Sequence, residues 1–234
     1  MKPLVILFDI DGTLIRSQGA GKTAIKLALT QALQVEEPDV ELDFAGRTDI
    51  SIVKETFLRN QIKFTDPNVK KFFKSYLSYL EQTMNECQGR VLPGVTSFLD
   101  SLVRQNRAVL GLLTGNIREG AFIKLRHFGL DQYFQTGGFG DLEEERVSIA
   151  REGIQAVASH HRIDIGVDKV VIIGDTPFDV RCAKMLGARS IAVCTGYSER
   201  RDIEETHPDW IFNDLTDLFT LHRVLQEVAG DRQV

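Results

Sequence analysis

The chain has 234 residues, 43% apolar and 26% charged, the composition of an ordinary folded protein and enough length for one large domain or a core plus a smaller one. Its 28 basic and 33 acidic residues leave a formal charge of −5, which gives no global attraction to nucleic acid or to an anionic membrane. No apolar run approaches the roughly 18 residues of a membrane span, the Leu4–Phe8 stretch is too short for a secretory leader, and Cys87, Cys182 and Cys194 fit no zinc or disulfide spacing, which implies a reducing, cytoplasmic compartment.

Leu4–Phe8 is a short apolar run ending at Asp9, and its lack of alternation reads as a strand buried on both faces. From about Arg16 to Arg90 the patterns are helical, over Ala20–Gln34, Asp49–Asn60 and Asp66–Cys87, with no convincing buried strand. Gly19, Ala20 and Gly21 punctuate one junction of this stretch, and Pro93 and Gly94 follow the other. A helix is expected over Val95–Gln105, then a strand over Val109–Leu113 that ends at Thr114. The acidic run Glu143–Glu145 suits a helix start. A strand over Val170–Ile173 precedes Gly174, a helix over Phe178–Leu186 stops at Gly187, and strands over Ser190–Cys194 and, more weakly, Trp210–Phe212 complete the series. Strands alternating with helices predict an α/β fold: a Rossmann-like, doubly wound parallel sheet core from residues 1–15 and 91–234, with an inserted α-helical cap domain from residues 16–90.

In an open α/β sheet, ligands bind beyond the carboxyl ends of the strands. Three such ends carry chemistry here: Asp9-Ile10-Asp11-Gly12-Thr13, Thr114-Gly115-Asn116, and Gly174-Asp175-Thr176-Pro177-Phe178-Asp179. Asp9 and Asp11 are two apart on extended chain, so both can face one site. Clustered carboxylates repel unless a cation neutralises them, and a hard, oxygen-rich set suits Mg²⁺. A carboxylate can attack phosphorus to form an aspartyl-phosphate, and a second can exchange a proton with the leaving oxygen and then with water. Gly12 and Gly115 leave room for phosphate oxygens, while the Thr13 and Thr114 hydroxyls can donate to them.

These residues, with Leu92-Pro93-Gly94-Val95 and His207-Pro208-Asp209-Trp210-Ile211-Phe212, resemble the haloacid dehalogenase-like hydrolase superfamily over nearly the whole chain. The resemblance implies that Asp9 is the nucleophile and a Mg²⁺ ligand. It implies that Asp11 is the general acid/base, its backbone carbonyl on the metal, and that Asp175 is a ligand supported by Asp179 directly or through water. Thr114, with the amides of Gly115 and Asn116, is implied to hold the phosphoryl group. The helical insertion falls where the family carries its C1 cap, which closes over the site. Asp11 favours phosphoryl transfer over dehalogenation, which needs no proton donor at that place.

The family usually supplies a lysine upstream of Asp175, yet no lysine stands between Lys124 and Lys169. Arg146 is the expected replacement, ahead of Arg151. In the insertion, Ala45-Gly46-Arg47-Thr48-Asp49 resembles a segment of phosphoglycolate phosphatase-like caps, so Arg47 is expected to touch a charged substrate. Gly19-Ala20-Gly21-Lys22-Thr23 is not a nucleotide-binding loop, because Arg16 stands where that pattern needs its first glycine. Adjacent His160 and His161 cannot share a helix face as a metal pair would, and Trp210 reads as core. The expected activity is a Mg²⁺-dependent phosphatase of a small phosphorylated metabolite, phosphoglycolate phosphatase-like, working as a monomer or weak homodimer. The alternatives are a phosphomutase of the β-phosphoglucomutase type, whose cap delivers a hydroxyl instead of water, and a non-catalytic binding protein on the same fold.

Overall fold

The computed structural model describes residues 3–141 and 145–230. Strand β1 (Leu4–Phe8) lies between β4 (Ala108–Leu113) and β6 (Val170–Gly174), parallel to both, with Val5 opposite Val109 on one side and Val170 on the other. β5 (Gly137–Gly138) extends the sheet beyond β4, while β7 (Arg189–Val193) and β8 (Trp210–Phe212) extend it beyond β6, giving the order β5-β4-β1-β6-β7-β8.

Every residue of β1 is buried because both faces of the sheet are covered. Leu4, Ile6 and Phe8 face a cluster containing Phe98 and Leu102 of α4 (Val95–Gln105), Leu125 of α5 (Arg118–His127) and Leu221 of α9 (Leu218–Ala229). Val5 and Leu7 face the opposite cluster, with Ile149 and Val157 of α6 (Arg146–His161) and Ala183 of α7 (Pro177–Leu186). Side chains alternate across a strand, so one five-residue run serves both layers. A short helix, α8 (Arg200–Glu204), packs Ile203 with Val180 and Ala192 beside β7.

The segment between β1 and α4 builds a separate apolar cluster. Helices α1 (Ala20–Leu33), α2 (Asp49–Arg59) and α3 (Asp66–Glu86) gather Ala24, Leu29, Phe57, Phe72, Tyr76 and Leu80, and Ile117 of the core joins them. Where the chain leaves and re-enters the core, two short strands, β2 (Ile15–Arg16) and β3 (Arg90–Val91), pair antiparallel. That ribbon ties both linkers together at the base of the helical segment.

The structure adds elements that the sequence patterns do not announce. β5 is two glycines, with no side chain to signal a strand. Its tightness explains them: a Cβ on Gly137 would overlap Leu112, and one on Gly138 the carbonyl of Ile149. In helices α5 and α6 the apolar residues are spread around the helix instead of gathered on one face, so their periodicity is faint. Helix α6 starts at Arg146, one residue after the acidic run, of which Glu143 and Glu144 lie outside the described residues. No described helix is long and apolar enough to cross a membrane.

Candidate active site

Asp9, Thr114 and Asp175 follow β1, β4 and β6, three adjacent strands, so their side chains meet beyond one edge of the sheet. They line a cavity of about 400 Å³ whose opposite wall comes from the helical segment. Asp9, Asp175 and Asp179 are buried, and each offers a carboxylate oxygen within 4.8 Å of the others. Arg146 enters this group from the start of α6. Its Nη2 lies 3.1 Å from Asp9 Oδ1 and 2.6 Å from Asp179 Oδ1, and its Nε donates to Asp179 Oδ1 at 2.9 Å. The sequence expectation for Arg146 thus has its geometry, whereas Arg151 is exposed on α6.

The carboxylates are not equivalent. Asp9 is pushed up to about 7, first by burial and then by Asp179 and Asp11, against the pull of Arg146. Asp175 is raised well above the usual carboxylate range by burial, Asp9 and Asp179. Arg146 moves further up, because Asp179 and Asp9 outweigh its desolvation. This donor set fits a divalent cation: oxygen ligands only, crowded together, with Asp9 and Asp175 raised first by burial and then by neighbouring carboxylates, a cost that a bound cation would offset. Asp179 has less to give than Asp9 or Asp175. Its Oδ1 is taken by Arg146, and its Oδ2 accepts from the Thr176 amide at 3.1 Å and hydroxyl at 2.7 Å in a capping box that starts α7.

The loop after β1 is shaped around Asp175. Gly12 has φ +89°, and a Cβ there would overlap the Asp175 carboxylate. The Thr13 hydroxyl donates to Asp175 Oδ1 at 2.9 Å, so this side chain orients a carboxylate. Thr195, which the sequence reading passed over, fixes the loop by donating from Oγ1 to the Gly12 carbonyl at 2.6 Å.

Asp11 points to a different set of partners. Lys124 Nζ donates to Asp11 Oδ2 and to Asn116 Oδ1, both at 2.6 Å, and Asn116 Nδ2 donates to Asp11 Oδ2 at 2.8 Å and to Thr114 Oγ1 at 2.7 Å. The Ser17 hydroxyl adds a longer contact, 3.4 Å from Asp11 Oδ1. Desolvation works against the Asp11 carboxylate, but the Lys124 charge and these hydrogen bonds outweigh it and hold the group below its ordinary value. Sequence reasoning missed Lys124. The available signal was its place on the buried face of α5, between Ala121 and Leu125.

The helical segment is seated on the core through α2. The Asp49 amide donates to the Gly115 carbonyl at 2.7 Å, and Asp49 Oδ2 accepts from the Ile117 amide at 2.8 Å. A Cβ on Gly115 would overlap the Arg47 carbonyl, so glycine lets the two backbones touch. Enclosure raises Asp49 to about 6, with Lys124 opposing. Arg47 lines the cavity, but its guanidinium is engaged within the helical segment. Nη1 is 2.5 Å from Glu55 Oε2, and Nη2 donates to the Ser51 carbonyl at 3.1 Å.

Residues 6–193 match the family model of the haloacid dehalogenase-like hydrolases. The chain belongs to that family. Among curated relatives of this hydrolase, a phosphoglycolate phosphatase of Synechococcus elongatus is 26% identical over 220 residues, covering 91% of this chain and 94% of the relative. One of Mannheimia succiniciproducens is 24% identical, covering 93% and 97%. Among solved structures, CbbY of Rhodobacter sphaeroides in complex with phosphate superposes with a TM-score of 0.73 at 18% identity, covering 92% of this chain and 96% of that one. At that identity the likeness speaks for the fold alone.

Proposed function

We propose that the hydrolase is a Mg²⁺-dependent phosphatase that cleaves a small phosphomonoester through an aspartyl-phosphate on Asp9. The observation that carries this reading is the meeting of Asp9, Asp175 and Arg146 at the ends of β1 and β6 and the start of α6, with Asp11 held beside them by Lys124. Asp9 and Asp175, with the Asp11 carbonyl, would hold the cation, and Asp179 would serve by fixing Arg146. The cation supplies charge neutralisation, so that Asp9 is ionised and the phosphoryl oxygens are drawn toward it.

The chain's own groups account for the rest. Asp9 attacks phosphorus and the bond to the ester oxygen breaks; Asp11, ionised in the free protein, takes up a proton as the anionic substrate binds beside it and gives that proton to the departing alkoxide. Asp11 then takes a proton from water as that water attacks phosphorus, and phosphate leaves with Asp9 restored. Thr114 and the Gly115 amide would hold the phosphoryl oxygens, joined by the Asn116 amide, which here donates to Thr114 Oγ1 at 3.2 Å, and Arg146 would offset their charge. Residues 16–90 act as a cap that excludes bulk water and faces the alcohol. The free thiols of Cys87, Cys182 and Cys194 suit a reducing cytoplasm.

A covalent trap tests this reading. With Asp11→Asn, incubation with an activated aryl phosphate and Mg²⁺ is expected to leave a phosphoryl group on the Asp9 peptide by mass spectrometry. A phosphoryl-free Asp9 in a variant that still releases the aryl alcohol would contradict it.

A further inference from the structure

Arg16 stands on β2, where the chain leaves the core for the helical segment, and it lines the cavity. None of the steps above uses it. Its guanidinium is held from the core side. Nη2 donates to the Thr195 carbonyl at 2.5 Å and to the Gly196 carbonyl at 3.0 Å, and Cζ lies 4.7 Å from the centroid of the Tyr197 ring. Nε is buried without a hydrogen-bond partner. A stranded donor costs stability, so the side chain is kept in a place that its own Nε does not favour. What the placement achieves lies at the other end of the two carbonyl contacts.

Those carbonyls belong to the loop after β7, and this loop touches a carboxylate of the acidic group. Gly196 packs so closely on Asp175 that a Cβ there would overlap the carboxylate, as a Cβ on Gly12 would from the loop after β1. The two loops are fastened to each other. The Gly12 amide donates to the Ile15 carbonyl at 2.8 Å, Arg16 follows Ile15 and reaches Thr195, and the Thr195 hydroxyl returns to the Gly12 carbonyl at 2.6 Å. This ring of contacts closes beside Asp175 Oδ2, while Thr13 holds Oδ1. Arg16 is also the residue that pairs with Arg90 in the β2–β3 ribbon, so the ring is anchored where both linkers of the helical segment meet.

We propose that Arg16 is a positioning residue for the metal site: by holding the Thr195–Gly196 backbone against Asp175, it fixes the direction in which that carboxylate meets Mg²⁺. The inference rests on the Mg²⁺ site of the phosphatase reading. Without the guanidinium the loop is free to lift, and Asp175 loses the wall that restricts its rotamer. Groups that orient a ligand from behind typically change metal affinity by about 10–100-fold when removed. Charge alone predicts the opposite sign. Arg16 places a positive charge near a cation site, so deleting that charge with the loop unmoved would tighten Mg²⁺ binding. The direction of the change therefore separates the two roles.

The test is a Mg²⁺ titration of the metal-free protein without substrate, with Kd read from the rise of the melting temperature with Mg²⁺ concentration. A side chain that serves folding alone lowers the starting melting temperature and leaves this Kd where it was. Arg16→Met keeps the aliphatic stem and is expected to raise Kd by at least about tenfold. Arg16→Lys, whose ammonium can still donate to the carbonyls, should fall between Arg16→Met and wild type. Thr195→Val breaks the same ring with no change of charge and should also raise Kd, which keeps the inference testable if Arg16→Met does not fold. In steady-state assays with an aryl phosphate, the apparent Mg²⁺ constant of Arg16→Met should rise by a larger factor than kcat falls. An unchanged or lower Kd in folded Arg16→Met or in Thr195→Val would overturn the inference. No stabilisation of the wild type by Mg²⁺ at any concentration would overturn the Mg²⁺ reading itself.

Discussion

Lys124 Nζ lies 2.6 Å from Asp11 Oδ2, with the lysine side chain only 7% exposed. An ammonium this enclosed has two bonded partners, Asp11 and Asn116, and through Asn116 it reaches Thr114. The contact fixes both the direction of the Asp11 carboxylate and its charge. Lys124→Met keeps the aliphatic volume and removes the counter-charge, so desolvation of Asp11 goes unopposed and its proton affinity rises. The expected outcome is a loss in kcat of at least about tenfold, ~1.4 kcal/mol in the barrier, with the acidic limb of the rate profile moved to higher pH. A pH–rate profile checks this, and an unmoved limb would show that Lys124 serves packing alone.

Arg146 bridges Asp9 and Asp179 through one guanidinium, which requires a planar fork. Arg146→Ala is expected to lower turnover by at least about tenfold and to lower the melting temperature, since it strands two buried carboxylates. Arg146→Lys keeps the charge but cannot copy the geometry, so its rate should fall between the two. Steady-state kinetics of the three proteins on one aryl phosphate measure the order.

Gly115 is the point where the helical segment rests on the core. A methyl group there meets the Arg47 backbone carbonyl, which cannot swing aside as a side chain could. Gly115→Ala is therefore expected to hold α2 off the site, raising KM and lowering kcat together, with little change in the melting of the sheet. Accelerated hydrogen exchange at the Asp49 amide, bonded to the Gly115 carbonyl, would report the same displacement.

The raised Asp9 makes stability depend on pH and metal. Its folded value of about 7 lies above the ordinary 3.8. Its contribution is therefore fully favourable below the ordinary value and is lost as pH rises toward the folded one. In chelator, Asp9→Asn should melt higher than wild type at about pH 8, and the difference should shrink at about pH 5, where the folded carboxyl is mostly protonated. Mg²⁺ should raise the wild-type melting temperature more at the higher pH. Thermal melts of both proteins check the sign, and a gap independent of pH would contradict it.

Much of this was legible in the sequence, for physical reasons that differ by residue. Leu4–Phe8 and Val170–Gly174 are buried on both faces, and unbroken apolar runs say so directly. Asp9, Thr114 and Asp175 are legible because each stands at the end of such a run. Arg146 was reachable from the family resemblance, whose usual lysine is missing here, together with the need for a cation beside the carboxylates. Lys124 was not, because a helix whose buried face includes an ammonium looks like a weak amphipathic pattern until its carboxylate is located. Thr13 reads as a phosphate ligand in sequence yet spends its hydroxyl on Asp175, and Arg47 reads as a substrate ligand yet is held by Glu55. Those partners lie 162 and 8 residues along the chain, and periodicity carries no information about which of several polar groups a side chain meets.

The central claim is that Asp9 is the nucleophile of a phosphatase. Its most direct test is phosphate release from a generic aryl phosphate with Mg²⁺, comparing wild type with Asp9→Asn at matched concentration and confirmed folding. The account predicts turnover by the wild type and none above background by Asp9→Asn. Equal rates in the two proteins would contradict it.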